Sequence, residues 1–188
     1  MTGILRQAFS ELPSIDTEAG RLLISRAGLA DYDMVMAILR QAADWLSGRG
    51  NPQWQHWYMT FGEQLLRERL KDHEVYLFRL GSTPVGTLTI QWSDPEVWGD
   101  PGRDGLAGYI HGIGIARSVA GRRVGQGMLE WAVQVIRARE RRFARLDAQA
   151  SNSSLCRYYE QRGFCALGTA LLEGSFLTRL FERELRPV

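Results

Sequence analysis

The stretch YIHGIGIARSVAGRRVGQGMLEWAVQVIRARERRFARLDAQA, residues 109–150, decides how this chain folds. It opens with an apolar run of strand length, Tyr109 to Ile115, and continues through a loop, ARSVAGRR. Residues 125–142 then carry Met128, Leu129, Ala132, Val135 and Ile136 at the spacing of one helical face. FARLDAQA closes the stretch as a second strand. Strand, helix and strand in that order make a crossover, so the two strands lie parallel and the helix covers one face of their sheet.

Working outward, Asn152 is placed to cap a helix running to about Arg162, with Gly163 as its C′ glycine. Two more strands follow at 164–172 and 176–185. Upstream, EVYLFRL (74–80) and VGTLTIQW (85–92) flank the turn residues Gly81, Ser82, Thr83 and Pro84, the pattern of a hairpin. Before them stand a short strand, RLLIS (21–25), a helix from the Asp31 cap to Ser47 with its stop at Gly48, and a second helix at about 61–71. The order is β-α-α-β-β-β-α-β-α-β-β. A hairpin beside a crossover needs both kinds of pairing, so the fold class is α/β: one domain, 21–188, with a mixed, mostly antiparallel central sheet and helices on both faces. Residues 1–20 show little periodicity and read as a loosely attached N-terminal arm.

The 188 residues suit one core, and 45% hydrophobic with 23% charged residues is ordinary globular composition. The net charge of +2 excludes the balance of a nucleic-acid coat or an acidic tail. Lys71 is the only lysine, so nearly all the positive charge is arginine, whose planar fork grips phosphate and carboxylate in a way lysine does not. Between Arg117 and Arg145 eight arginines face only Glu130 and Glu140, an electrostatic footprint for phosphate polymers. No nucleic-acid-reading motif accompanies it. No apolar run spans a bilayer and the N-terminus has no secretion-signal core, so the expectation is a cytoplasmic protein without membrane contact. Cys156 and Cys165 read as two reduced, packed thiols.

Arg122-Arg123-Val124-Gly125-Gln126-Gly127 is the strongest local signal for chemistry. Glycines at a helix start let an anion approach the free N–H groups there, and the dipole favours negative charge. The segment lacks the Gly-Lys-Ser/Thr of a nucleotide P-loop, and Glu130 stands where a dinucleotide fingerprint needs glycine. A different phosphate-bearing ligand is wanted, or else a helix start whose glycines serve packing. Gly112 and Gly114 interrupt the preceding strand, which fits either a ligand lying along it or a bulge. Asp100-Pro-Gly-Arg-Asp104-Gly105 has the outline of a calcium loop, but its twelfth position is His111 rather than Glu, so no metal is expected.

Ile113-Gly114-Ile115, a loop and Arg122-x-x-Gly125-x-Gly127 resemble motif A of the GNAT superfamily of acyl-CoA-dependent N-acyltransferases. Asn152-x-x-Leu155-x-x-Tyr158-Tyr159-x-x-x-Gly163-Phe164 is similar to its motif B. Trp45-Leu46, Gly50 and Gln53-Trp54 resemble a pattern of one bacterial branch. The resemblance implies acetyl-CoA as cosubstrate, held by Ile113, Gly114 and Ile115 along the pantetheine arm. The amides from Val124 through Gly125, Gln126 and Gly127 to Met128 would take the pyrophosphate, with Arg122, Arg123 and Asn152 assisting. It further implies Tyr159 as general acid. His111, on the same strand and by period two on the same face as Ile113 and Ile115, is the candidate base, with an ordinary pKa suited to taking a proton from an ammonium. Asp147 and Glu160 receive no role in proton transfer. Trp54, His56 and Trp92 are expected to touch the acceptor, because aromatic walls hold apolar or cationic groups, and Trp45 to lie in the core.

The function implied is N-acetylation of a primary amine on a small or amino-acid-like molecule. Acetylation of a protein or peptide, and a catalytically silent acyl-CoA-binding regulator, are the alternatives. Relatives often pair through their terminal strands, so a homodimer is a further expectation.

Overall fold

Val75 and Leu77 point to one side of their strand and Tyr76 and Phe78 to the other, and all four are buried. A strand covered on both faces needs helices above and below it. The computed structural model, which describes residues 14–51, 54, 62–172 and 176–186, has that arrangement. Its strands are β1 (Ile15–Thr17), β2 (Gly20–Arg26), β3 (Glu74–Leu80), β4 (Thr83–Gln91), β5 (Ala107–Ile115), β6 (Phe143–Gln149), β7 (Cys165–Leu172) and β8 (Phe176–Glu184). Its α-helices are α1 (Tyr32–Ser47), α2 (Gly62–Asp72), α3 (Pro95–Trp98), α4 (Val124–Ala138) and α5 (Ser153–Glu160).

All eight strands form one sheet in the order β1-β2-β3-β4-β5-β6-β8-β7, antiparallel throughout except for the β5–β6 pair. The crossover read from residues 109–150 is that parallel pair, with α4 as its helix. Met128, Leu129, Ala132 and Ile136 of α4 are fully buried, and Trp131 meets Tyr76 and Phe78 edge-on at centroid distances of 4.7 and 5.3 Å. Each of the larger side chains contributes roughly 2 kcal/mol of transfer free energy. Tyr159 and Phe164 of the α5 region complete this layer. On the other face, Val35, Ile38 and Leu39 of α1 and Leu66 and Leu70 of α2 cover Val75 and Leu77.

Three expectations are corrected. The arm expected over residues 1–20 gives way at Ile15 to β1, which pairs with β2 through Ile15↔Leu22 and Thr17↔Gly20. The stretch 93–108, whose Pro95, Gly99, Pro101, Gly102 and Gly105 read as a long loop, holds α3, a 3-10 turn at Asp100–Arg103 and the first residues of β5. Of the two cysteines, both free, Cys156 is buried but Cys165 is exposed. Among the described residues no helix is long and apolar enough to cross a membrane.

The feature that matters for function lies between β5 and β6. Their parallel ladder runs from Ala107↔Phe143 to Ile110↔Leu146 and stops. Yet β5 continues to Ile115 against β4, and β6 to Gln149 against β8. The two strands therefore part, leaving their facing backbone groups without sheet partners in the middle of the sheet.

Candidate active site

Gly112 controls what faces the split. Thr89 pairs with His111 and Thr87 with Gly114, so two steps on β4 answer three on β5, and Gly112 takes φ +58. This is a β-bulge, and one extra residue reverses the in/out alternation beyond it. The shared face expected for His111, Ile113 and Ile115 is thereby corrected. Ile113 and Ile115 pack toward the α4 layer, the Ile115 Cδ1 lying against Gly125, while Ile38 and Leu39 of α1 cover Gly114. His111 points to the α1 side, away from the two isoleucines.

There His111 meets two carboxylates. Its Nε2 lies 3.2 Å from Asp94 Oδ2 and its Nδ1 3.5 Å from Asp147 Oδ1, with the imidazole only 10% exposed. Asp94 Oδ2 and His111 Nε2 are buried and have no aligned hydrogen-bond partner. Asp147 is anchored from β8 by Thr178 Oγ1, which donates to Oδ2 at 2.9 Å. Burial works against a charged imidazole, but Asp147 and Asp94 outweigh it, so His111 keeps its proton above the usual histidine range. Burial likewise opposes the Asp147 carboxylate, and contact with His111 and Thr178 holds its pKa below the ordinary value nonetheless. Neither aspartate was legible as a partner of His111. Asp147 sits one residue beyond the last β5–β6 pair, and Asp94 reaches the site only because residues 93–102 fold back over the sheet.

On α5, the helix after β6, Tyr159 is buried against Phe164 and Phe181, at ring distances of 6.1 and 5.8 Å. Burial pushes its hydroxyl pKa well above the phenol range, so it stays protonated. Tyr158, the other tyrosine of the motif, is only partly buried. Its hydroxyl points at Gly125, 3.7 Å from where a Cβ there would sit, and Arg162 lies over its ring.

The start of α4 is uncapped. Arg123 occupies the N-cap in left-handed conformation, φ 53, and no side chain caps the end. The first amide bonded along the helix is that of Gly127, to the Arg123 carbonyl at 3.0 Å. The N–H groups of Val124, Gly125 and Gln126 find no backbone acceptor among the described residues, and they sit at the positive end of the dipole. Arg122 is exposed beside them. Arg123 is turned to Glu18 at 2.9 Å, and Gln126 accepts from Arg162 at 3.3 Å. Met128 is wholly buried and offers only its backbone. Asn152 spends its side-chain oxygen on capping α5, through the Leu155 amide at 3.1 Å. The unpaired edges of the split and this open helix end suit an extended, amide-bearing chain that finishes in a phosphate.

The expected acceptor residues separate. Trp54 packs against the α1–α2 core, and His56 lies outside the described residues. Trp92 follows the Gln91↔Tyr109 pair at the closed end of the sheet, on the α4 side, where Arg139 and Arg141 cover its ring at 4.4 and 5.7 Å. Trp45 is corrected, being exposed rather than core. Arg49 and Arg117 stack on its ring at 4.4 and 4.2 Å, and neither guanidinium has a carboxylate within 4.0 Å among the described residues.

Residues 39–164 match the family model described as "Acetyltransferase (GNAT) family". The chain is 26% identical over 162 residues to the uncharacterized N-acetyltransferase YesJ of Bacillus subtilis (strain 168), covering 82% of this chain and 86% of that one. Among solved structures it resembles a GNAT-family acetyltransferase from Listeria monocytogenes 4b F2365, with a TM-score of 0.77 and 25% identity over 92% of this chain and all of that one. At 14% identity it shares the fold of the PaiA N-acetyltransferase of Thermoplasma acidophilum, solved in complex with coenzyme A, with a TM-score of 0.64 over 87% of this chain and 99% of the other. With its parted parallel pair, its uncapped helix start and a family match across both, the chain belongs to the GNAT family of acetyltransferases.

Proposed function

We propose that the protein transfers an acetyl group from acetyl-CoA to the primary amine of a small acceptor. The observations that carry this reading are a buried histidine–carboxylate cluster where β5 and β6 part and a buried, protonated tyrosine on α5, the helix that follows β6. Acetyl-CoA, when bound, supplies the activated acetyl group as a thioester. The amides of Val124, Gly125 and Gln126 bind its pyrophosphate, Arg122 adds a guanidinium, and the free edge of β5 at Ile113 and Ile115 lines the pantetheine arm. On the α1 face, Asp94, His111 and Asp147 together hold one negative charge while the imidazole is protonated, which draws an ammonium toward the split. His111 in its neutral form takes the amine proton, directly or through water, and Tyr159 gives its proton to the departing thiolate. An acceptor that also bears an anionic group, as an amino-acid-like molecule does, is favoured by the Arg49–Trp45–Arg117 stack on that same face.

The test is thiol release from acetyl-CoA in the presence of a panel of primary amines with and without carboxylates. Turnover with carboxylate-bearing amines is expected, and Tyr159→Phe should lower kcat on the order of 10²-fold at saturating substrates. Equal turnover in Tyr159→Phe removes the tyrosine from the mechanism. Failure of the chain to bind coenzyme A at all would overturn the reading.

A further inference from the structure

Arg145 is a buried cation with hydrogen bonds on two of its guanidinium nitrogens. Only 5% exposed, it donates from Nε to Glu182 Oε2 at 2.7 Å. From Nη1 it donates to the Pro101 carbonyl at 2.7 Å, to Asp104 Oδ2 at 3.0 Å and to the Tyr109 hydroxyl at 2.9 Å. Trp98, Phe143 and Tyr109 surround its guanidinium at 5.1 to 5.7 Å. Glu182 and Tyr109 belong to the sheet, whereas Pro101 and Asp104 belong to the segment between β4 and β5. The Tyr109 hydroxyl also donates to the Pro101 carbonyl, at 2.8 Å.

What this fastening holds becomes clear one residue further on. The Gly102 carbonyl accepts from the Asp94 amide at 3.0 Å and from Ser93 Oγ at 2.9 Å. The two backbones touch so closely that a Cβ on Gly102 would lie 2.2 Å from the Asp94 oxygen. Asp94 in turn reaches His111 at 3.2 Å. Arg145, Pro101, Gly102, Asp94 and His111 thus form an unbroken chain of contacts. With one positive charge against Asp104 and Glu182, Arg145 contributes position rather than field.

We propose that Arg145 is a positioning residue, which fastens the β4–β5 segment to the sheet and so holds the Asp94 carboxylate against the His111 imidazole. The catalytic meaning of this rests on the reading of His111 as proton acceptor; the physical claim does not. The charged groups facing His111 are Asp94 from the segment, Asp147 from β6, and Arg69 and His73 at the end of α2. Of these, Asp94 is the one joined to Arg145 through Pro101 and Gly102.

The test is NMR titration of histidine-labelled protein without substrates, with the His111 signal assigned through His111→Gln. Asp94→Asn should move the His111 midpoint downward. Arg145→Met should move it in the same direction by a comparable amount, Arg145→Lys by less, and Arg145→Met in an Asp94→Asn background should move it no further. Should Arg145→Met fail to fold, Tyr109→Phe removes the second donor to Pro101 and should give a smaller downward shift. An unmoved midpoint in the folded Arg145 or Tyr109 variants, or an equal further shift in the Asp94→Asn background, overturns the proposal. Because the readout is the imidazole itself, it stands whether or not acetyl transfer is found.

Discussion

The Asp147 carboxylate and the His111 imidazole raise and lower each other's pKa from the two sides of one contact, and the sign of the effect is open to measurement. The folded state holds the His111 proton more tightly than an unfolded chain does. This pairing therefore stabilises the protein fully below the ordinary histidine range, near pH 6.5, and its contribution is lost as pH rises through the higher folded value. A base must be neutral to act, so kcat/KM should rise with pH along an acidic limb lying above the ordinary histidine value. Asp147→Asn removes the attraction and should carry that limb to lower pH. A limb that stays in place in Asp147→Asn would exclude His111 as the titrating base. His111 was legible in the sequence as a candidate; its two carboxylates were not, because one arrives from a neighbouring strand and the other on a folded-back segment.

At the scale of elements, the bulge in β5 resets which residues share a face. His111 before it faces the α1 side, whereas Ile113 and Ile115 after it face α4. Gly112 permits this because its φ of +58 lies where a β-branched side chain is strained. Gly112→Val should cost about 1 to 2 kcal/mol in stability and, by shifting the alternation, remove activity out of proportion to that loss. Thermal unfolding beside steady-state rates checks both, and a variant destabilised but fully active would separate the bulge from the chemistry. Most element boundaries were legible from periodicity and caps: α2 and β3, for example, fall within a residue of their expected spans. The short edge strand β1 was not, since three residues beside Gly20 carry too little pattern to show that β2 would pair with them.

The whole molecule is a sheet opened from one end, and a ligand that fills the opening should brace both halves. Coenzyme A at about 100 times its Kd should add roughly 2.7 kcal/mol to the stability of the folded state. For a chain of this length that corresponds to a rise in Tm of about 5 to 10 °C, read by calorimetry or dye-based melting. No rise at saturating coenzyme A would remove the split from the binding site.

Local pattern by itself determined the α/β class, the crossover over residues 109–150, a helix starting within a residue of Gly125 and the family, because each rests on neighbours in the chain and on motif spacing. The tertiary structure alone decided that β5 and β6 part after Ile110↔Leu146, that His111 turns away from Ile113, and that Asp94, Asp147 and Arg145 gather around one histidine. Those outcomes depend on pairing register and on residues as far apart as Asp94 and Asp147 meeting the same histidine. Side-chain periodicity carries no information about such contacts until the strands are laid side by side.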